Sequence, residues 1–501
     1  MKLPSGRISQ VVPILCRVLD WGLTLGLALA LALADFPKPH MDDLFMIGAA
    51  VEIFRGGDLR NPWLVGQLFP SSYYFSQLPL HSWLLAAWLR LCGLGVWPML
   101  SFISLCLVAT ACALRALFRT VAVRIPLTFA FLITAVPMMQ NGLRPEVLGL
   151  VWVILGAAMR GRSTFSRYIA ASCFGLALLS AARMLPLVVT LVPFTVYRDL
   201  DEPGANPTRW WLSRLVRNYG IPWLLAAASL VVLLLCLVGF HILEFWRVFC
   251  LTANARIAPF HLRNFGNAPA WLSLAITVVT TLVLGGKPGN ARQKALILAL
   301  VAAALLMFCS GTGLWQLFFF TWLVAAGLLV ARTVDGQKWR HLIIGTAALI
   351  VMVPLDYSAP LVDVLAGAAR KAERPPREAF AMLRARIYAQ NANRIRIDSG
   401  AARYVFAYDL PAGTLDFSFS EPFPGQAPDD RKAQADGEIW CVSRYPFRHG
   451  RSDIVPPLDG PRLLPREAFR YDHILDAIYL YGGDFGNRGM VLTARGLVPL
   501  R

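Results

Sequence analysis

Apolar stretches separated by short polar breaks dominate the first 357 residues, and their lengths decide what the chain can be. They fall at about 13–34, 97–115, 125–140, 145–159, 168–182, 184–197, 220–243, 269–286, 295–310, 313–331 and 341–357. A helix that crosses a bilayer needs about 20 apolar residues, so the pair 168–182 and 184–197 is short. It reads as two tilted spans or a bent hairpin, and either form returns the chain to its starting side. The first stretch follows Lys2 and Arg7 without a small-residue cleavage pattern, which predicts a retained span rather than a signal peptide. One segment, 79–93, is apolar but short, and His81 and Arg90 interrupt it.

Charge decides whether 79–93 crosses. If it does not, residues 1–357 place 19 basic residues on the cytoplasmic side and nine outside. If it does, the clusters at 115–124, 160–167 and 198–217 all move outside, against the positive-inside rule. The chain therefore reads as eleven spans, with the N-terminus in the cytoplasm and the C-terminus outside. Two large outer regions follow. The first loop, 35–96, is expected to lie on the outer leaflet as two interfacial amphipathic helices, near 43–55 and 80–92. The tail, 358–501, carries 20 basic and 17 acidic residues with frequent Pro, Gly and aromatics, which predicts a folded mixed α/β domain of short elements. The expected fold class is thus a polytopic α-helical membrane protein, 1–357, followed by an extracytoplasmic domain, 358–501. No internal repeat is visible.

Composition supports the membrane reading and narrows the function. The chain is 56% hydrophobic and 16% charged with a mean hydropathy of +0.54, whereas soluble chains run at roughly 45–50% and 25%. That excludes a cytosolic enzyme and a free secreted protein. The net charge of +18 reads as basic cytoplasmic loops rather than a nucleic-acid surface, and no basic run is interleaved with aromatics. Arginine outnumbers lysine 41 to 7 beside abundant Ala, Leu and Gly, which suggests a bacterium with a GC-rich genome and places the chain in the inner membrane. Nine cysteines form no CxxC pair, and only Cys441 lies in the tail, so no disulfide framework holds that region together.

The candidate chemistry collects on the outer side. Thirteen acidic residues precede Ser358, and eight lie outside: Asp35, Asp42, Asp43, Glu52, Asp58, Glu146, Glu244 and Asp356. A solvated loop explains any one of them, and Asp42-Asp43 could cap a helix that they open. Paired carboxylates at a membrane surface also supply what a general base for an acceptor hydroxyl needs. Arg144, Arg183, Arg247, Arg256 and Arg263 reach the same level against the positive-inside bias, and His261 shares the 244–268 loop. A guanidinium grips phosphate oxygens in pairs; snorkelling to headgroups is the plain alternative. His40 with Asp42 and Asp43 could hold a divalent metal, but no second His or Cys cluster supports it. Gly285-Gly286-Lys287 lacks the spacing of a nucleotide loop, and the glycines at 482–489 read as turns.

The run HMDDLFMIGAAVEIFRGGDL, followed by YYFSQLPLHSWLLAAWLRLCG, resembles the first outer loop of the glycosyltransferase C superfamily. The likeness is to the branch of lipid A aminoarabinose transferases and protein O-mannosyltransferases. That pattern has an acidic pair opening a juxtamembrane helix, Glu ten residues on, Gly-Asp, then Tyr-x-x-Lys-Pro-Pro-Leu. Asp42-Asp43, Glu52, Gly57-Asp58 and Tyr74 fall in that order, but Gln77 stands where the family has its phosphate-contacting lysine and Leu78 where it has a proline. Arg144-Pro145-Glu146 and Arg183 match an Arg-acid pair and a basic position further along. The resemblance covers about residues 10–200. It implies a transferase that moves a sugar from a polyprenyl-phosphate donor to a glycan, lipid or protein hydroxyl, with membrane lipids around it and no obligatory metal. It implies Asp42 as base or acceptor-orienting carboxylate and Asp43 as its partner. Glu52, Tyr74, Gln77, Arg144, Glu146, Arg183, Arg256, His261 and Arg263 then line the substrate. Two other classes stay open: a transporter of lipid-linked glycans, which usually shows paired repeats, and a membrane assembly protein whose tail binds partners.

Overall fold

The structure is a computed structural model. It describes residues 5–33, 43–60, 78–121, 125–135, 138, 143–161, 163–200, 216–239, 241–256, 265–266, 268–285 and 291–309, then residue 385 and eight short strands between 394 and 499. The described part up to Cys309 is helical, and it is the body of a membrane protein. Its helices are α1 (Ser5–Leu33), α2 (Asp43–Phe54), α3 (Pro79–Cys92), α4 (Val96–Thr120), α5 (Leu127–Ala135), α6 (Glu146–Ala158), α7 (Thr164–Ser180), α8 (Leu185–Leu200), α9 (Ile221–Leu237), α10 (Ile242–Arg256), α11 (Ala268–Gly285) and α12 (Ala291–Cys309). Among the described residues, four stretches are long and apolar enough to cross a bilayer: Ile14–Ala32, Trp97–Thr120, Val216–Leu237 and Ala291–Cys309. By contrast α5, with 9 residues, spans only about 14 Å at 1.5 Å per residue. Nine of the eleven expected spans have a helix at their position; 313–331 and 341–357 lie outside the described residues.

Local chemistry sets several boundaries. Pro79 opens α3, where its missing N–H costs nothing, and Gly93 at φ +87° ends it. The segment α2 closes in a Schellman turn: Gly56 N donates to Ile53 O and Gly57 N to Glu52 O, with Gly56 at φ +94°. Ser163 and Ser166 form a reciprocal capping box at the start of α7. The short pair at 168–182 and 184–197 is an antiparallel hairpin of two longer helices, α7 and α8, joined by a tight 3-10 turn at Ala182–Met184.

Small residues let the central helices approach closely, as membrane bundles require. A Cβ at Gly156 of α6 would lie 3.1 Å from Ala170 O and 3.2 Å from Cys173 Cβ of α7. A Cβ at Gly175 of α7 would run into Leu230 of α9. The core is continuous through α2, α3, α4, α5, α6, α7 and α8.

Contacts sort the helix ends into two levels. At one level Asp20 of α1 accepts from Leu127 N (2.8 Å) and Thr128 N (2.9 Å) of α5 and from Arg115 of α4 (3.3 Å). There too Gln293 of α12 donates to Val121 O, and Arg198 of α8 meets the end of α6. At the other level Glu146 starts α6, Arg183 follows α7, and Phe265, Trp271 and Phe308 cluster around the start of α11 and the end of α12. Helix α3 lies wholly at this second level. Its first turn sets His81 against Phe102, and its second half sets Trp88 against the same ring while Trp88 Nε1 donates to Pro98 O. Trp83 Nε1 donates to Leu237 O at the end of α9. So α3 packs over the start of α4 and the end of α9.

Of the two loop helices, α2 differs from expectation in burial. Ile47, Ala49, Ala50, Val51 and Ile53 are all buried, and Arg90 of α3 donates to Ile53 O at 2.8 Å. A surface-floating amphipathic helix would leave one face open. Instead α2 is apolar from Leu44 to Ile53 except for Glu52, and every residue from Ile47 to Val51 is buried.

Among the described residues of the tail, β1 (Arg394–Asp398) runs parallel to both β2 (Leu415–Ser418) and β3 (Glu438–Ser443). Antiparallel strands β6 (Ile478–Gly482), β7 (Met490–Thr493) and β8 (Gly496–Pro499) extend that sheet from β3, in the order β2-β1-β3-β6-β7-β8. β4 (Phe469–Tyr471) and β5 (Ile474–Asp476) form a separate pair.

Candidate functional site

The charged residues that the sequence places at span ends converge at the second level. Glu146 occupies the first turn of α6, where a carboxylate favours the exposed amides of the helix start. Burial removes it from water, so it needs a cation. Arg183 supplies one, donating from Nη1 to Oε1 at 3.0 Å, and Arg144, buried just before the helix, adds a second positive charge beside it. Among the described residues, two guanidinium groups thus stand beside one buried carboxylate at this end of the bundle.

How Arg183 gets there is a matter of one missing methyl. A Cβ at Gly149 would sit 2.6 Å from Met184 Cγ, so only glycine lets Met184 lie flat on α6. That contact seats the turn carrying Arg183 within reach of Glu146, one helical turn before Gly149. The Arg183 side chain keeps 40% of its surface open, so one edge of the guanidinium faces outward while the other holds the carboxylate.

His81 completes the group from α3. It is 1% exposed, its ring meets Phe102 edge-on at 5.9 Å, and Nε2 has no hydrogen-bond partner among the described residues. Burial pushes the imidazole down to about 4, against the opposing pull of the Glu146 carboxylate. His81 is therefore neutral near pH 7.

The other candidates are placed as follows. Asp43 is the first residue of α2, and Arg256 the last of α10. Glu52 is half-buried near the end of α2, folded so close to Gly57 that a Cβ there would lie 2.6 Å from its Oε1. Asp42, Tyr74, Gln77, His261 and Arg263 lie outside the described residues, as does His40. The structure thus brings together Arg144, Glu146 and Arg183. It adds His81, whose only sequence signal was a polar residue in an apolar stretch.

Sequence reading missed a second polar group at the opposite level. Arg198 is 2% exposed, donates to Ala157 O and Met159 O at the end of α6, and pairs with Asp199 at 2.9 Å. Asp199 in turn accepts from Gly161 N at 2.8 Å and Tyr219 Oη at 3.2 Å, and Arg167 stacks over the Tyr219 ring at 5.1 Å. This network ties α6, α7, α8 and the start of α9 into one unit.

The chain matches no protein-family model and no curated protein sequence. Its class therefore rests on the fold: a helical membrane protein in which Arg144, Glu146 and Arg183 cluster at one level of the bundle.

Proposed function

We propose that the chain is a membrane glycosyltransferase of the glycosyltransferase C type, which moves a sugar from a polyprenyl-phosphate donor to an acceptor hydroxyl at the outer membrane face. The observation that carries this reading is Arg183, which keeps 40% of its side chain open while it pairs with Glu146, at the level where α3 lies. An anion that arrives within the membrane, with its charge at the headgroup depth, can reach such a guanidinium, and a lipid-linked phosphate is such an anion. The order of Asp42-Asp43, Glu52, Gly57-Asp58 and Tyr74 in the preceding loop supports it. In this reading 313–331 and 341–357 complete eleven spans of a bacterial inner-membrane protein, and 358–501 form an extracytoplasmic domain.

The chemistry is a single displacement. Asp42 takes the proton of the acceptor hydroxyl, and Asp43 beside it raises the basicity of the pair, because two adjacent carboxylates resist sharing charge. The acceptor oxygen bonds to the anomeric carbon as the bond from that carbon to the phosphate oxygen breaks, with inversion. The electron pair leaves on the polyprenyl phosphate, and Arg183 and Arg144, with Arg256 and Arg263 from the later loop, offset that growing charge. Phosphate is already a good leaving group, so no metal is required. Deleting the gene tests the reading: a polyprenyl-phosphate-linked sugar accumulates in the membrane, and restoring the gene clears it. No change in the lipid-linked pool on deletion would contradict it.

A further inference from the structure

We propose that His81 is a sugar-contacting residue, hydrogen-bonding through Nε2 to a hydroxyl of the sugar whose phosphate Arg183 holds. The inference rests on the glycosyltransferase reading and names one determinant of its donor site. Three observations point the same way. His81 is buried and Nε2 meets no partner among the described residues, a condition that folding alone disfavours and that a bound polar group relieves. It sits at the same level of the bundle as Glu146 and Arg183, against Phe102 in the second turn of α4. Arg183 keeps 40% of its side chain open while it holds Glu146, so an anionic ligand has access to it at that level.

The chemistry selects the group. A neutral imidazole offers Nε2 either as a donor or as an acceptor, according to tautomer. A hydroxyl serves both, and in a sugar phosphate hydroxyls follow the phosphate within a few bonds. An apolar lipid tail would have no use for Nε2, and the packing against Phe102 needs only a ring or a branched chain. A purely structural His81 would therefore be replaceable by leucine without loss of any ligand contact.

The test uses the full chain in detergent and reads thermal unfolding, with bare polyprenyl phosphate compared against polyprenyl-phosphate glucose, galactose, mannose and arabinose. The parent is expected to be stabilised by the bare lipid and further by at least one sugar-bearing lipid. His81→Leu is expected to unfold at the parental temperature or above without lipid and to keep the response to bare lipid. Its extra response to the sugar should fall by at least tenfold in apparent affinity. His81→Gln, which keeps an amide near the Nε2 position, is expected to recover much of that difference. A His81→Leu protein that distinguishes sugar-bearing from bare lipid as well as the parent does overturns the proposal and leaves the glycosyltransferase reading standing. Equal stabilisation of the parent by bare and all four sugar-bearing lipids overturns it as well. A parent that no polyprenyl phosphate stabilises overturns both.

Discussion

At the level of Asp20 and Arg198, polar side chains face inward onto other helices. Arg198 answers two carbonyls and Asp199, Asp199 answers Gly161 and Tyr219, and Asp20 caps α5 from another helix. At the level of Glu146 the arginine is half open and a histidine nitrogen waits without a partner among the described residues. Both levels bury a carboxylate with a guanidinium, so burial of an ion pair does not by itself mark function. The difference lies in access: Arg198 is enclosed, whereas Arg183 keeps 40% of its side chain open. An enclosed guanidinium holds helices together; an open one can receive a ligand.

Substitutions sharpen this contrast. The largest effect is expected from Asp42→Asn, which removes the proposed base: turnover should fall about 10²–10⁴-fold, the usual range for lost general-base assistance. Asn caps a helix about as well as Asp, so membrane levels by immunoblot should stay parental. Normal accumulation with parental transfer would make Asp42 a cap and nothing more.

Next comes Arg198→Ala. It strips the cation from a buried acid and two buried carbonyls, and should lower stability by about 3–5 kcal/mol. Thermal unfolding in detergent reads this, while transfer per folded molecule stays unchanged. A drop in transfer without a drop in stability would erase the distinction between the two levels.

Arg183→Gln should do the reverse with a smaller total effect. The side chain is 40% exposed, and Arg144 stays beside the buried Glu146, so the loss of stability should be smaller than that of Arg198→Ala. Transfer should fall about 10²–10³-fold, as when one donor to a developing anion is lost. Kinetics on membranes normalised for protein level separate the two quantities.

Much of this architecture was legible beforehand. Helices were expected near 43–55 and 80–92, and α2 and α3 lie there. Arg144, Glu146 and Arg183 were assigned to one level because span ends alternate. Their meeting was not legible, since it depends on Gly149 admitting Met184. The Arg198 network was hidden for a different reason. The positive-inside rule says on which side an arginine falls, not whether it is solvated, and Arg198 counted as a loop charge although it is buried. Likewise Asp20 looks like a lone acid in a span, and its partners lie more than 90 residues away in sequence. The burial of α2 escaped because an interfacial amphipathic helix was expected near 43–55, while the segment from Leu44 to Val51 is apolar throughout.

The central claim is that the Glu146 level serves a lipid-phosphate sugar. The most direct measurement gives purified full-length protein in liposomes a labelled polyprenyl-phosphate sugar, envelope acceptors extracted from a strain lacking the gene, and, in a parallel reaction, the matching nucleotide sugar. The account predicts label transferred to acceptor and polyprenyl phosphate released from the first donor, with the nucleotide sugar untouched. Transfer from the nucleotide sugar, with the lipid-linked donor left intact, would contradict it.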